Sequence, residues 1–331
     1  MPLVEVDNLV KHFPVRGGFL NKVIANVHAV NGVSFAVEQG ETLGVIGESG
    51  CGKSTLGKAL MRLDRPTSGR IRYDGTDTTT ARHADLLPFR RRMQMIFQDP
   101  YSSLNPRMTA RTMLREVIRF HRVVPPKEVD DHIDGLIAKV GLPPDAKHKY
   151  PHEFSGGQRQ RLGVARALAV KPEFLVADEP VSALDVSVQA QVLNLLMDLK
   201  DDLSLTVLFI SHDLKVIQHF CDRMLVMYLG VIVEELPCDD LSRAAHPYTK
   251  ALLGANPISD PDDRHELVVL HGEVPSPYDP PEGCPFVTRC PVSQERCSQE
   301  MPPLVQHAER HEVACWAVKS EQPSASAAAA D

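Results

Sequence analysis

A glycine-rich stretch near the start of the chain constrains its fold more than any other feature. Residues 47–55, GESGCGKST, fit the phosphate-loop pattern G-x-x-x-x-G-K-[ST]. The apolar run Thr42–Ile46 before them predicts a short buried strand, and the run Thr55–Leu63 after them predicts a helix. In such a unit the backbone N–H groups point at phosphate oxygens, and the helix start adds the positive end of its dipole. The sequence therefore predicts nucleotide binding in an α/β fold.

Two side chains of this loop have the chemistry that a nucleoside triphosphate needs. Lys53 is expected to reach the β- and γ-phosphates, and the Ser54 hydroxyl is expected to bind Mg²⁺. The other predicted ATP contacts from this loop are Gly47, Ser49, Gly50, Cys51, Gly52 and Thr55. Cys51 is expected to act through its backbone, and a redox role for its thiol is the alternative.

The rest of the chain changes between strand-like and helix-like patterns. Residues 1–98 are mostly β in pattern, residues 108–152 follow helical periods, and strands and helices alternate from residue 157 onward. This alternation predicts a mainly parallel sheet with helices on both faces, interrupted by a helical insert. The loops that follow the strands are then expected at one edge of the sheet, where catalytic residues gather.

Four further motifs follow the phosphate loop in order. They are FSGGQ at 154–158, FLVADE at 174–179, SALD at 182–185 and SHD at 211–213. Each motif is weak alone, but together their order and spacing over roughly residues 1–250 resemble the ATP-binding-cassette (ABC) ATPases. The resemblance implies an ABC nucleotide-binding domain, with a phosphate-loop core of mainly parallel sheet, an antiparallel β subdomain and a helical subdomain at about 99–156.

Phosphoryl transfer depends on positioning and charge neutralisation, and two acids at a predicted strand end suit both tasks. Asp178 is expected in the Mg²⁺ shell, and Glu179 is expected to act as general base or to orient the attacking water. A helix cap is the structural alternative for this pair. The resemblance assigns Gln98 to Mg²⁺ and the attacking water, and His212 to the γ-phosphate and Glu179.

The FSGGQ motif predicts a second anion site, because it opens a helix with a serine and two glycines. One ATP can occupy two sites a hundred residues apart only if they face each other, and the resemblance implies that they do so across a dimer of cassettes. The residues expected at this second half of the site are Ser155, Gly156, Gly157, Gln158 and Asp185. Phe13 is the candidate for stacking on adenine, with a place in the core as the alternative.

Composition restricts the class of protein. The chain has 331 residues and a formal net charge of −7, so no nucleic-acid partner is expected. No run of 18 apolar residues predicts a membrane span, and the N-terminus does not resemble a secretory signal. We therefore expect a location in the cytoplasm, where the seven cysteines are reduced thiols or metal ligands.

Four cysteines near the C-terminus predict a separate small domain. Cys284, Cys290, Cys297 and Cys315 are separated by gaps of five, six and seventeen residues. The wide first gap does not suit a structural zinc knuckle, whereas four thiolates can hold a [4Fe–4S] cluster; Zn²⁺ and free packed thiols remain alternatives. We predict an ATP-binding domain at 1–254, a proline-rich linker at 255–283, the cysteine domain at 284–318 and a disordered tail at 319–331.

This tail, the motif HPYTK at 246–250 and the opening KHFPVRGG at 11–18 narrow the resemblance. Together they resemble the F-type ATPase subunit of dipeptide and oligopeptide importers. The resemblance implies an ATP hydrolase at the cytoplasmic face of the cell membrane, paired with a related D-type cassette, two membrane-spanning permease subunits and a peptide-binding protein. The permeases would dock near Gln98 and the helical insert. The alternatives are a glutathione or nickel-chelate importer, a soluble non-transport cassette, and a binding module without turnover.

Overall fold

Two β-sheets organise the computed structural model, which describes residues 2–17, 21–255 and 272–318. Most of the predicted linker, at 256–271, and the predicted disordered tail lie outside the described residues. The strands are β1 Pro2–Gly17, β2 Lys22–Glu38, β3 Thr42–Ile46, β4 Ser68–Tyr73, β5 Thr76–Asp77, β6 Met93–Ile96, β7 Phe174–Asp178, β8 Thr206–Ile210, β9 Arg223–Tyr228, β10 Val231–Pro237, β11 Val305–Ala308 and β12 His311–Val313.

The larger sheet forms the centre of the fold, in the strand order β11-β12-β10-β9-β3-β8-β7-β6. From β9 to β6 all neighbours are parallel, whereas β10, β11 and β12 are antiparallel additions. Every residue of β3, β7 and β8 is buried, as expected for strands that are covered on both faces. The predicted mainly parallel α/β core is confirmed.

The smaller sheet is entirely antiparallel, in the order β2-β1-β4-β5. Asp74 and Gly75 connect β4 to β5 with positive φ angles of 49° and 70°, which suit the turn of a tight hairpin. The alternating patterns at 3–6 and 33–37 mark only parts of much longer strands. β1 extends as far as Gly17 and β2 already begins at Lys22, and the two pair through several register shifts. This sheet is the predicted antiparallel β component.

The helices cover the main sheet and form the insert between β6 and β7. They are α1 Lys53–Leu60, α2 Leu87–Arg92, α3 Pro100–Ser103, α4 Ala110–Phe120, α5 Val129–Lys139, α6 Gly156–Leu168, α7 Val186–Leu203, α8 Leu214–Phe220, α9 Pro247–Gly254 and α10 Glu295–Gln299. The helix predicted at 55–63 starts earlier, at Lys53, and ends before Arg62, whose φ of 53° is incompatible with continued right-handed helix. No helix within the described ranges is both long and apolar enough to cross a membrane.

The cysteine-bearing segment is attached to the main sheet through its own strands. In β10, Glu234 pairs in register with Val313 of β12, so β11 and β12 extend the sheet by two strands. The Glu234 carboxylate is fully buried and accepts hydrogen bonds from the backbone N–H groups of Ala245 and His246, while the His311 ring lies 2.8 Å away. The segment from residue 284 is therefore packed onto the cassette through a buried polar network.

Candidate functional site

The phosphate loop lies between β3 and α1 and passes very close to neighbouring backbone. A Cβ atom added to Gly47 would lie 2.1 Å from the Met227 carbonyl oxygen, and one added to Gly52 would lie 2.0 Å from the Ala29 carbonyl oxygen. Gly52 also has a φ of 107°, which L side chains rarely adopt. Only glycine fits these two positions, so the loop's curvature follows from its sequence.

Lys53 folds back over the loop that it follows. Its Nζ donates to the carbonyl oxygens of Gly47, at 2.7 Å, and of Glu48, at 3.0 Å. Cys51 is almost fully buried beside it, and this burial raises the pKa of the Cys51 thiol. Because the thiolate is the reactive form, the local environment opposes the alternative redox role.

Ser54 and Asp178 converge on one point, as a shared Mg²⁺ ion would require. The Ser54 hydroxyl donates to Asp178 Oδ1 at 2.8 Å, joining the start of α1 to the end of β7. Burial raises the pKa of the Asp178 carboxyl, because desolvation disfavours its charged form. A divalent cation at this point would offset that cost.

The buried charge of Asp178 predicts a change in stability for Asp178→Asn. The pKa of the Asp178 carboxyl is higher in the folded chain than in the unfolded chain. The free energy of unfolding of the wild-type protein therefore falls as the pH rises past these two pKa values, because the folded protein must then bury a charge. The nucleotide-free asparagine variant should therefore unfold about 2 °C higher at neutral pH. Thermal unfolding at several pH values checks this, and the difference should shrink with acidification. A variant less stable than wild type at neutral pH would contradict it.

Three polar side chains meet at the carboxyl edge of the main sheet. Gln98 Nε2 donates to Glu179 Oε2 at 2.9 Å, and His212 Nδ1 lies 3.4 Å from Glu179 Oε1. They follow β6, β7 and β8, which are neighbouring parallel strands. The backbone N–H of Glu179 donates to the Ile210 carbonyl oxygen, and a φ of 44° turns its side chain out of the strand. One carboxylate is thus held by an amide and an imidazole.

These residues and the phosphate loop line one cavity of about 510 Å³. The predicted site residues on its wall are Phe13, Ser49, Gly50, Gly52, Lys53, Ser54, Thr55, Gln98, Glu179 and His212. Phe13 is half-buried, with the Lys11 ammonium 4.5 Å from its ring centre, so it is a cavity residue and not part of the closed core. The sequence did not single out three further wall residues, Val27, Ala29 and Pro277.

No residue of the FSGGQ motif, nor Asp185, lines that cavity, and within the motif Phe154 and Gly157 are buried. Ser155 Oγ accepts from the Gln158 N–H at 3.3 Å and Gln158 Oε1 accepts from the Ser155 N–H at 3.1 Å, which forms a capping box at the start of α6. A Cβ atom at Gly157 would lie 2.4 Å from Val188 Cγ1. The motif is therefore packed rigidly against α7, while Ser155, Gly156 and Asp185 remain exposed.

The four C-terminal cysteines form no disulfide and lie close enough to influence one another electrostatically. The pKa of Cys284 is raised to about 11, mainly by burial and in smaller part by the nearby thiols of Cys297, Cys290 and Cys315. In the part of the chain that the structure describes, however, no group of three or more His, Cys, Asp or Glu side chains is arranged to hold a metal ion. Among these residues the structure therefore shows no ready metal-binding group, either for the predicted cluster or for the zinc alternative.

Comparisons with known proteins identify the family of the chain. The family "ABC transporter" matches residues 30–182, and "Oligopeptide/dipeptide transporter, C-terminal region" matches residues 233–297. The chain is 52% identical to the probable peptide ABC transporter ATP-binding protein y4tS of Sinorhizobium fredii, over 95% of this chain and 89% of that protein. It is 47% identical to the oligopeptide transport ATP-binding protein AppF of Bacillus subtilis, over 95% and 96%.

Solved structures give the same answer for the fold. The post-hydrolysis dimer of the ATP-binding cassette MJ0796, bound to ADP and Pi, has a TM-score of 0.63 and 27% identity, covering 72% of this chain and 99% of that one. Three observations point to the same family. They are relatives with about 50% identity over nearly the whole chain, the two family matches, and the contacts around Glu179. The chain belongs to the ATP-hydrolysing, ATP-binding subunits of ABC transporters, in the branch that carries the oligopeptide/dipeptide transporter C-terminal region.

Proposed function

We propose that the chain is the ATP-hydrolysing motor subunit of an importer for dipeptides or oligopeptides. The observation that carries this proposal is the contact of the Glu179 carboxylate with both Gln98 and His212, in the same cavity that the phosphate loop lines. Further support comes from relatives that are described as peptide or oligopeptide transport ATP-binding proteins. They favour this function over a soluble non-transport cassette.

Each part of the cavity has a role in the proposed reaction. The loop backbone and Lys53 bind the phosphates, and Phe13 stacks on the adenine. Ser54, Asp178 and Gln98 would hold Mg²⁺, which neutralises charge on the β- and γ-phosphates when it is bound. Glu179 orients the attacking water and accepts its proton.

His212 and Gln98 hold the Glu179 carboxylate in a single orientation. The protein itself therefore does little covalent chemistry, and its contribution is to position water and to stabilise charge. His212 is 59% exposed while Glu179 is 14% exposed, so the histidine lies on the solvent side of the carboxylate. A second cassette would cover that side and complete the γ-phosphate contacts with its own copy of the serine–glycine motif.

The proposed assembly contains two cassettes, two permeases and a binding protein that delivers peptide. We propose a related D-type chain as the second cassette, and a peripheral position on the cytoplasmic face of the cell membrane. The exposed Ser155, Gly156 and Asp185 support a site completed by another chain. Within the chain we propose an ATP-binding unit at 1–254, a linker at 255–283 and a C-terminal unit at 284–318.

Substrate-stimulated hydrolysis tests this function. The full-length chain, reconstituted in liposomes with its permeases, companion cassette and binding protein, should hydrolyse Mg²⁺-ATP faster when a dipeptide or an oligopeptide is added. Radiolabelled peptide should accumulate across the bilayer only when ATP is present on the cassette side. Stimulation by glutathione or a nickel chelate without any response to peptides would overturn the peptide assignment.

We propose a [4Fe–4S] cluster at Cys284, Cys290, Cys297 and Cys315 as a separate feature of the C-terminal unit. Its support is that the thiols lie within electrostatic range of one another. The Gln294 N–H also donates to Cys297 Sγ at 3.5 Å, and the backbone N–H groups of Phe286, Val292 and Ala317 act to lower the pKa of Cys284, Cys290 and Cys315 respectively. A cluster with iron at four corners needs thiolates that lie further apart than those around a single ion. Hydrogen bonds to the sulfurs help to set the reduction potential of such a cluster.

Anaerobic purification checks the cluster. The full-length chain should be brown, with broad visible absorbance and about four iron atoms per chain. Cys290→Ser should lose most of the iron and colour, whereas Cys238→Ser, which changes a buried thiol elsewhere, should keep both. Colourless wild-type protein with stoichiometric zinc, or with neither metal, would contradict the cluster.

A further inference from the structure

The phosphate loop is held from outside by a residue of the cysteine-bearing segment. Arg289, between Cys284 and Cys290 in sequence, donates from Nη1 to Glu48 Oε2 at 2.8 Å and from Nη2 to Glu48 Oε1 at 3.1 Å. The Arg289 side chain is 8% exposed and that of Glu48 is 28% exposed. A bidentate pair in this environment is stronger and more directional than an ion pair on the open surface.

Glu48 is also held through its backbone, on both of its polar groups. Its N–H donates to the Tyr248 hydroxyl oxygen at 2.8 Å, and its carbonyl oxygen accepts from Lys53 Nζ at 3.0 Å. Tyr248 belongs to the motif HPYTK, for which the nucleotide chemistry alone gives no role. The second residue of the phosphate loop thus connects Arg289 and Tyr248 to the lysine that is proposed to bind phosphate.

Aromatic rings join these two anchors into one body. Phe286 lies three residues before Arg289, and its ring centre is 5.3 Å from that of Tyr228 and 5.4 Å from that of Tyr248. Arg289 Nη1 also donates to the Tyr228 hydroxyl oxygen at 3.3 Å. Phe286 and both tyrosines are essentially buried, so movement of the cysteine-bearing segment would displace Arg289 from Glu48.

A second contact places the same part of the chain on the nucleotide cavity. Pro277 lines the 510 Å³ cavity, and its carbonyl oxygen accepts from the His28 N–H of β2 at 2.9 Å. The stretch Val274–Pro277 and the loop residues from Glu48 to Cys51 also enclose a neighbouring space of about 230 Å³. The segment beyond residue 272 is therefore a wall of the nucleotide site as well as an anchor for its loop.

We propose that Arg289 is a positioning residue for ATP binding: it fixes the phosphate loop through Glu48 and neutralises the Glu48 carboxylate, which belongs to that loop but lies outside the nucleotide cavity. The inference rests on the proposed nucleotide site and assigns the C-terminal segment a task in it. Without the guanidinium, an unpaired negative charge would remain within the loop that must receive a polyanion. Loss of Arg289 should therefore weaken ATP binding more than it slows the chemical step, because Glu179, Gln98 and His212 are not touched.

Two measurements test this proposal. Titration of the full-length chain with a fluorescent ATP analogue gives Kd, and steady-state hydrolysis by the assembled transporter gives KM and kcat. Arg289→Met should raise Kd and KM for ATP about tenfold with kcat within about twofold, and Arg289→Lys should recover part of the affinity. Adding Glu48→Gln to Arg289→Met removes the unpaired charge and should restore Kd to within about threefold of wild type. Thermal unfolding of each variant accompanies the titrations.

Arg296→Met is the matched control. Arg296 lies in the same segment, pairs with Glu300 at 3.0 Å and covers the Trp316 ring, but it is 56% exposed and both of these contacts are within the C-terminal segment. It should leave Kd unchanged. An equal loss in Arg296→Met, a Kd for Arg289→Met within twofold of wild type, or a fall in kcat at unchanged KM would overturn the inference. If Arg289→Met does not fold, Arg289→Gln, which also removes the positive charge, decides by the same criteria.

The same titrations separate this inference from the proposed function. Lys53→Ala should lose measurable ATP binding. If wild type fails to bind ATP, or Lys53→Ala binds as wild type does, the nucleotide site itself is wrong. If both behave as expected and only the Arg289 variants match wild type, the nucleotide site stands and the role of Arg289 is wrong.

Discussion

Glu179→Gln should reduce steady-state ATP hydrolysis about 10³-fold while leaving ATP binding nearly intact, since general-base catalysis contributes about 10²–10⁴-fold. The amide keeps the size of the side chain but cannot accept a proton from water. The substitution also changes the contact with Gln98, because Gln98 Nε2 donates to a carboxylate oxygen of Glu179 at 2.9 Å in the wild-type protein. Lys53, Ser54 and the loop backbone are untouched, so the nucleotide should still bind.

Phosphate release measured in the assembled transporter checks this result, with the ATP titration as the companion measurement. Glu128→Gln is the matched control, because Glu128 is an exposed glutamate at the start of α5 and outside the nucleotide cavity. It should hydrolyse ATP at the wild-type rate. Hydrolysis by Glu179→Gln within tenfold of wild type would move the role of general base to another residue.

The grouping of Gln98, Glu179 and His212 could be predicted because each follows an apolar strand. Met93–Ile96, Phe174–Asp178 and Thr206–Ile210 are parallel neighbours, and parallel strands bring the residues after them to one edge. Local pattern was therefore enough to bring three loops to one edge, whereas the choice of Gln98 and His212 within those loops came from the resemblance to the ABC ATPases. Local pattern was also enough for the phosphate loop, where the close approach of backbone at Gly47 and Gly52 excludes other residues.

The attachment of the C-terminal segment could not be predicted in the same way. Arg289 and Glu48 are 241 positions apart, and single charged residues in loops have no period that indicates a partner. Strand β12 is only three residues long, too short for an alternating pattern, and it is fixed by pairing with β10 and by the buried contact of His311 with Glu234. The proline-rich composition around 257–281 predicted a linker that separates the ATP-binding domain from the cysteine domain. In the described part of that stretch, however, Pro277 lines the nucleotide cavity.

Ser155 lies outside the cavity of its own chain, so a charge placed there should act on the opposing cassette and not on ATP binding within the chain. Ser155→Asp should abolish ATP-induced association of cassettes and reduce hydrolysis at the site that this motif completes by about 10²–10³-fold. Aspartate is as good an N-cap as serine, so α6 should keep its start and the chain its fold. The new charge, however, would face the γ-phosphate of the opposing nucleotide. Two like charges about 4 Å apart near a protein surface repel by about 4 kcal/mol.

Ser155→Asn separates this repulsion from any effect on the helix, because asparagine has the size and capping ability of aspartate without its charge. Both variants are made in a Glu179→Gln background, in which ATP should hold the cassettes together, and association with the companion cassette is followed by sedimentation velocity. The aspartate variant should remain dissociated with ATP, and the asparagine variant should associate. Because Ser155 does not line the cavity formed by its own chain, both should bind ATP with the affinity of the parent. Association of the aspartate variant equal to that of its parent would contradict a site shared between two chains, since a charge at Ser155 would then have no phosphate to repel.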